Sequence, residues 1–154
     1  MNSAEARLGE LKLELPPAAK PAGAYRPVTI AGGMAYVSGH GPLRSDGSLV
    51  CGRVGDDLTQ EDGYRAARQT GLAILATLRS QLGSLDRVAR LVKLLGLVNC
   101  TPDFHQQPAV INGCSELLAE VFGPEQGIGA RSAIGAAALP FHMAVEIEAI
   151  FELR

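Results

Sequence analysis

The C-terminal stretch Met143–Leu153 constrains the fold more than any other part of the chain. Met143, Val145, Ile147, Ala149, Phe151 and Leu153 fall on one face of an extended chain, and Glu146, Glu148, Ile150 and Glu152 fall on the other. A period of two is the signature of a strand with one face on a core. The run before it, Ser132–Leu139 (SAIGAAAL), is strand-like in position but carries very small side chains. It is too apolar and too small for a solvated face, and small residues permit close backbone approach. A second layer is therefore expected to pack on it. The chain has only two long helical patterns to offer, so that layer is read as another copy of the chain. The composition agrees: 47% of the 154 residues are hydrophobic and 19% charged, against roughly 25% charged in average soluble domains.

Upstream, the order of elements reads β-β-β-α-β-α-β-β. Residues 1–24 form a short helix or arm (Met1 to Leu15) and a lead-in broken by Pro16, Pro17 and Pro21, which exclude helix there. Two β-rich runs flank Gly32-Gly33, a hairpin signal. Asp46-Gly47 marks a further turn, and a strand is expected over Leu49–Val54. Thr59, followed by Gln60, Glu61 and Asp62, opens a long helix with Tyr64, Ala67, Gly71, Ile74, Leu78 and Leu82 at helical spacing, and Gly83 stops it. Val88–Val98 follows as a strand of a β-α-β crossover. A second helix starts near Pro108, with Val110, Cys114, Leu117, Leu118 and Val121 as its stripe, and ends at Gly123-Pro124. This is an α+β chain of one domain, residues 1–154, with two helices over one face of a mixed sheet. No internal repeat is visible.

Several function classes are disfavoured. No apolar run approaches the ~20 residues that span a bilayer, and the N-terminus lacks a signal-peptide core, so a cytoplasmic protein with no membrane partner is expected. The net charge is −2, with scattered lysines and arginines and no Trp, which argues against a nucleic-acid partner. Cys51, Cys100 and Cys114 form no CxxC, and His40, His105 and His142 form no HxxH or HExxH spacing. A disulfide scaffold, a Cys-rich zinc site and metal binding are not expected. Cys114 belongs to the core, and Cys51 and Cys100 are read as structural.

One constellation can carry chemistry. Arg131 precedes an otherwise uncharged small-residue strand, and Glu146 lies in the next strand. Pairing of the two strands through the Pro140 turn sets both near the same end of a hairpin. An arginine at the mouth of an apolar cleft grips a carboxylate with two parallel hydrogen bonds, and a nearby glutamate orients or deprotonates water. A plain cross-strand salt bridge on an exposed edge accounts for the same two residues.

The motif ARSAIGAAALP followed by VEIEAIFEL resembles the C-terminal signature of the RidA/YjgF family, also called the L-PSP endoribonuclease family. The resemblance runs over residues 20–154 and includes Tyr25 after the lead-in, a strand ending Val37-Ser38-Gly39, Val92-Lys93 and the second helix with Asn112. EARLGELKLELP, GRVGDDLTQEDGYRAAR, LGSLDRVARLVK and DFHQQPAVINGCSELLAEVFG resemble a longer branch of that family. The resemblance implies a chorismate-mutase-like fold assembled as a homotrimer, with the sheets forming a central barrel and clefts between subunits. It implies hydrolysis of enamines and imines to 2-oxo acids and ammonia, without metal or cofactor. By the same resemblance Arg131 holds the substrate carboxylate, Glu146 activates water, Tyr25 lines the cleft, Ser38-Gly39 closes the pocket floor and Asn112 stands near the cleft. A small carboxylate-bearing metabolite is then the ligand.

The chain departs from the family pattern at three places: Ala133 where Cys is common, His40 where Gln is common, and Gly129 where this branch often has His. Three residues have two readings each. His40 caps the strand end or enters the pocket; Tyr25 packs under the arm or lines the cleft; Asn112 faces solvent or the cleft. Glu148 and Glu152 are read as salt-bridged or solvated. A non-catalytic trimer that binds a carboxylate is the alternative function, and a ribonuclease the third, which the acidic balance disfavours.

Overall fold

The computed structural model describes residues 2–154, so the start of the expected N-terminal helix, Met1, lies outside the described residues. The elements run α1 (Ala4–Glu10), β1 (Val28–Ala31), β2 (Met34–His40), α2 (Gln60–Leu82), β3 (Val88–Asn99), α3 (Gln107–Phe122), β4 (Ala130–Ala136) and β5 (Val145–Leu153), with short 3-10 turns at Leu85–Arg87 and Pro140–His142. The strands form one mixed sheet of order β1-β2-β5-β3-β4. Helix α2 lies over β2 and β5, and α3 lies over β3 and β4.

Local chemistry sets the helix ends. Thr59 Oγ1 accepts from Asp62 N at 3.1 Å, and the Asp62 carboxylate accepts from Thr59 N at 2.9 Å, a reciprocal cap. Gly83 closes α2 at φ 83°, a left-handed conformation that costs glycine nothing. Helix α3 buries Val110, Ile111, Cys114, Leu117, Leu118 and Val121 as its stripe requires. The two helices touch almost at their backbones: a Cβ on Gly113 would collide with the Tyr64 carbonyl and lie 3.0 Å from Arg68 N. Tyr64 itself turns out of the core, and its hydroxyl bonds Glu116. Helix α1 is clamped to the end of α2. Glu5 pairs with Arg79 at 3.0 Å and accepts from Leu85 N at 2.9 Å, while Leu8 is buried.

The alternation over β5 holds: Val145, Ile147, Ala149 and Phe151 are buried, and Glu146, Glu148, Ile150 and Glu152 point away from the helices. On that open face Tyr36 and Ile134 are also exposed.

Two expectations are corrected. The segment Leu49–Val54 is not a ladder strand; among the described residues it makes only single bridges, Leu43 to Leu49, Cys51 to Met143, and Val54 to both Leu58 and Cys100. Gly52 (φ 136°) and Gly55 (φ 95°) take it out of strand geometry. More consequentially, β4 and β5 do not pair. β3 lies between them, parallel to β4 and antiparallel to β5. The connection is no tight turn. It passes through Pro140 and two left-handed residues, Phe141 and His142 (each φ 57°), and is held over the end of β3 by Asn99 Nδ2, which donates to Met143 O at 3.2 Å.

The contact at Gly113 gives a direct stability test. Because its neighbours are backbone atoms, α2 and α3 must separate to admit a methyl group. Gly113→Ala is expected to cost about 1–3 kcal/mol, read as a lower denaturant midpoint with an unchanged slope. Gly9→Ala, where nothing lies within 4 Å of the added Cβ, is the control and is expected to leave the midpoint in place or raise it.

Candidate active site

Glu146 owes its position to the strand period: its neighbours Val145 and Ile147 are buried, so it stands on the open face. There it meets an irregularity of β2. Val37 pairs with Ala149 and His40 with Ile147, so β2 carries one residue more than β5 across this interval. The extra length is a bulge at Ser38-Gly39. Gly39 leaves room for the Glu146 carboxylate, which a Cβ there would strike and push aside.

His40 braces the bulge from below. Its ring is 5% exposed. Nδ1 lies 2.6 Å from the Ser38 carbonyl and Nε2 lies 2.8 Å from Thr77 Oγ1 of α2. A carbonyl only accepts, so Nδ1 carries the hydrogen and Nε2 accepts from the threonine hydroxyl. Burial lowers the imidazole pKa and outweighs the Ser38 carbonyl, which raises it. His40 is a neutral strut at the strand end that also borders the pocket. Above the bulge, Ser38 Oγ donates to Arg26 O at 2.5 Å. Tyr25 is 48% exposed, and its hydroxyl accepts from Ala22 N at 3.2 Å, folding the lead-in back on itself.

Tyr25, Ser38, Gly39, His40 and Glu146 all border one cavity of about 710 Å3, roofed on one side by the lead-in and on another by Pro140 and Phe141. Half-burial of the Glu146 carboxyl, with Glu148 beside it, pushes its pKa above the usual glutamate range. Glu148 and Glu152 are exposed, in keeping with the solvated reading.

Arg131 and Asn112 are brought together elsewhere. Arg131 Nη1 donates to Asn112 Oδ1 at 2.7 Å and to Ser115 Oγ at 3.2 Å, with no other hydrogen-bond partner for the guanidinium among the described residues. These three residues border a second cavity of about 310 Å3 between α3 and β4. Ser115 was not singled out from the sequence; its signal is the i, i+3 spacing from Asn112 beside the apolar stripe of α3. Cys114 under Arg131 is fully buried, and burial pushes its thiol up to about 12, against the opposing pull of Arg131.

The hairpin that was to join Arg131 and Glu146 is therefore absent. Leu94 is opposite Arg131 on one side of β3, whereas Leu97 is opposite Glu146 on the other. Two strand spacings and three residues along the strand separate their backbones by on the order of 14 Å. No Arg131–Glu146 salt bridge forms. Each half is built and oriented, but within one chain they face different cavities. Among the described residues no group of three His, Cys, Asp or Glu side chains is placed to hold a metal ion, and no helix is long and apolar enough to cross a membrane.

The carboxyl shift has a sign that can be measured. A carboxyl whose folded pKa is raised binds protons more readily folded than unfolded, so stability falls as pH rises through its range. Glu146→Gln is therefore expected to raise Tm relative to wild type at pH 7 and to lose that advantage near pH 4. An advantage that grew toward low pH would contradict the burial of Glu146.

The chain is 43% identical over 149 residues to Protein TCP17 of Trypanosoma cruzi, covering 97% of this chain and 93% of that one. The crystal structure of Atu1372, a protein of unknown function from Agrobacterium tumefaciens, is 44% identical with a TM-score of 0.89, covering 98% of this chain and 92% of that one. A structure described as a "putative endoribonuclease" from Shewanella oneidensis MR-1 is 33% identical with a TM-score of 0.94, covering 99% of this chain and all (100%) of that one. A family model described as "YjgF/chorismate mutase-like, putative endoribonuclease" matches residues 5–151, and the chain belongs to that family.

Proposed function

We propose that the protein is a 2-imino acid deaminase that works as a cytoplasmic homotrimer, with its sites at the boundaries between copies. The observation that carries this reading is a half-buried carboxyl with a raised pKa, Glu146, on the wall of a wide cavity that lacks Arg131. The opposite edge of the same sheet presents Arg131, oriented by Asn112 and Ser115. A neighbouring copy that brings its β4 edge to the mouth of this cavity completes the site. The exposed Tyr36 and Ile134 supply apolar surface for such a contact.

The reaction is R–C(=NH)–COO⁻ + H2O → R–CO–COO⁻ + NH3. Arg131 holds the carboxylate. Water adds to the C=N carbon as Glu146 takes one of its protons and returns it to the imine nitrogen. The carbinolamine then gives its hydroxyl proton to Glu146, which passes it to the nitrogen. The C–N bond breaks and ammonia leaves. A carboxyl above its usual pKa suits both halves of this relay. An imine is already electrophilic, so positioning and proton transfer are a sufficient contribution. A ribonuclease reading has to bring a phosphate chain to a face that carries Glu146, Glu148 and Glu152, which repels it.

The test is release of 2-oxo acid and ammonia, in equal amounts, from imines generated in situ, measured against the uncatalysed rate. Glu146→Gln is expected to lose about 10²–10⁴-fold of the acceleration, and Arg131→Ala to lose it chiefly through weaker binding. No acceleration by folded, oligomeric wild type overturns the enzyme reading and leaves a protein that binds a carboxylate, the role that Ala133 and Gly129, both departures from the family pattern, would then mark.

A further inference from the structure

We infer that the imine taken by this site carries a bulky apolar group, aromatic or branched, seated against Phe141. The inference deepens the deaminase reading and rests on it.

Size is the first argument. A cavity of about 710 Å3 lies within the ~300–1,000 Å3 of pockets that enclose drug-sized ligands. An imine with one or two side-chain carbons would reach only a small part of this half-open cavity as it stands in the single chain. Composition is the second. Away from Glu146, Ser38 and His40 the larger side chains of the walls are Tyr25, Leu43, Leu49, Pro140, Phe141 and Met143. The charged groups beside them, Lys20 and Glu148, are exposed at the rim. Met143 is buried because Gly41 makes way for it: a Cβ there would collide with the Met143 sulfur.

The third argument is Phe141 itself. It sits at φ 57°, ψ 18°, and His142 follows at φ 57°. Left-handed backbone is rare for a bulky side chain and persists where the surroundings impose it. Here Cys51 Sγ donates to Phe141 O at 3.4 Å, Gly52 N donates to His142 O at 2.9 Å, and Met143 N donates to Pro140 O at 3.1 Å. These bonds fix the backbone so that the ring stands at the cavity mouth, 68% exposed. It is the most exposed large hydrophobic side chain among the described residues, and the chain folds around it rather than over it. An apolar group of the substrate, continuous with the cavity that holds Glu146, is the occupant that covers it.

The experiment compares imines made in situ from alanine, leucine and phenylalanine, using wild type, Phe141→Ala and Phe141→Leu. Calorimetry alongside it measures binding of the three corresponding 2-oxo acids, which needs no turnover. One well-placed methylene in an apolar pocket is worth ~10–200-fold. Wild type is expected to favour the leucine or phenylalanine compound over the alanine one by at least about 10-fold. Phe141→Ala is expected to erase that preference, lowering turnover of the leucine- and phenylalanine-derived imines by at least about 10-fold more than that of the alanine-derived one. Phe141→Leu is expected to keep the leucine preference. If no imine is turned over but the 2-oxo acids still bind in that order, dependent on Phe141, the deaminase reading falls and the apolar subsite stands. If the alanine-derived imine is turned over and the acids bind equally, the subsite falls and the deaminase reading stands. Loss of the oligomer in Phe141→Ala with an unchanged preference assigns the ring to subunit packing and overturns the inference.

Discussion

β3 is hydrogen-bonded on both edges, to β4 running with it and to β5 running against it. That one arrangement decides the rest of the molecule. β4 becomes the outer edge strand, so Arg131 is delivered to the rim of the sheet with α3 behind it. β5 becomes an inner strand, so Glu146 is enclosed between β2 and β3. The connection from β4 to β5 has to cross the end of β3, and in crossing it carries Phe141 to the cavity mouth. A simple β4–β5 hairpin would have put arginine and glutamate together and left no cavity between them. Their separation leaves each charge available to a ligand rather than spent on the other.

The carboxyl side of the site depends on backbone shape more than on charge. The β2 bulge places Gly39 against Glu146, and the missing Cβ is what lets the carboxylate withdraw from water. His40 holds that bulge through a carbonyl of its own strand and a hydroxyl of α2, which ties the pocket floor to the helical layer. Because the imidazole is neutral, it braces the floor without lowering the pKa of the nearby glutamate, as a buried cation would.

The sequence carried those parts of the fold that local periodicity controls. The β5 alternation, the α3 stripe, the Thr59 cap and the Gly83 stop are all short-range patterns, and the structure follows them. Strand neighbours are a long-range property. SAIGAAAL and VEIEAIFEL are adjacent in the chain, so a hairpin was the economical expectation, and nothing local announces that β3 intervenes. The Leu49–Val54 segment has strand composition, but Gly52 within it at φ 136° and Gly55 just after it at φ 95° break the ladder. The candidate site residues were nominated one at a time, Arg131 and Glu146 from their chemistry and the rest through family resemblance. Their mutual placement was not, and neither were Ser115 and Phe141, whose roles come from what crosses or faces them in space.

In the proposed oligomer a working site takes Glu146 from one copy and Arg131 from another. Subunit mixing tests this directly. Arg131→Ala and Glu146→Gln proteins, each inactive alone, are unfolded, mixed and refolded together, and imine hydrolysis is measured against each variant refolded by itself. Recovery of a substantial fraction of wild-type activity in the mixture, with none in either control, is the expected result, because some boundaries then pair an intact Glu146 with an intact Arg131. Mixed oligomers that form and remain inactive, beside an active wild type, would contradict it.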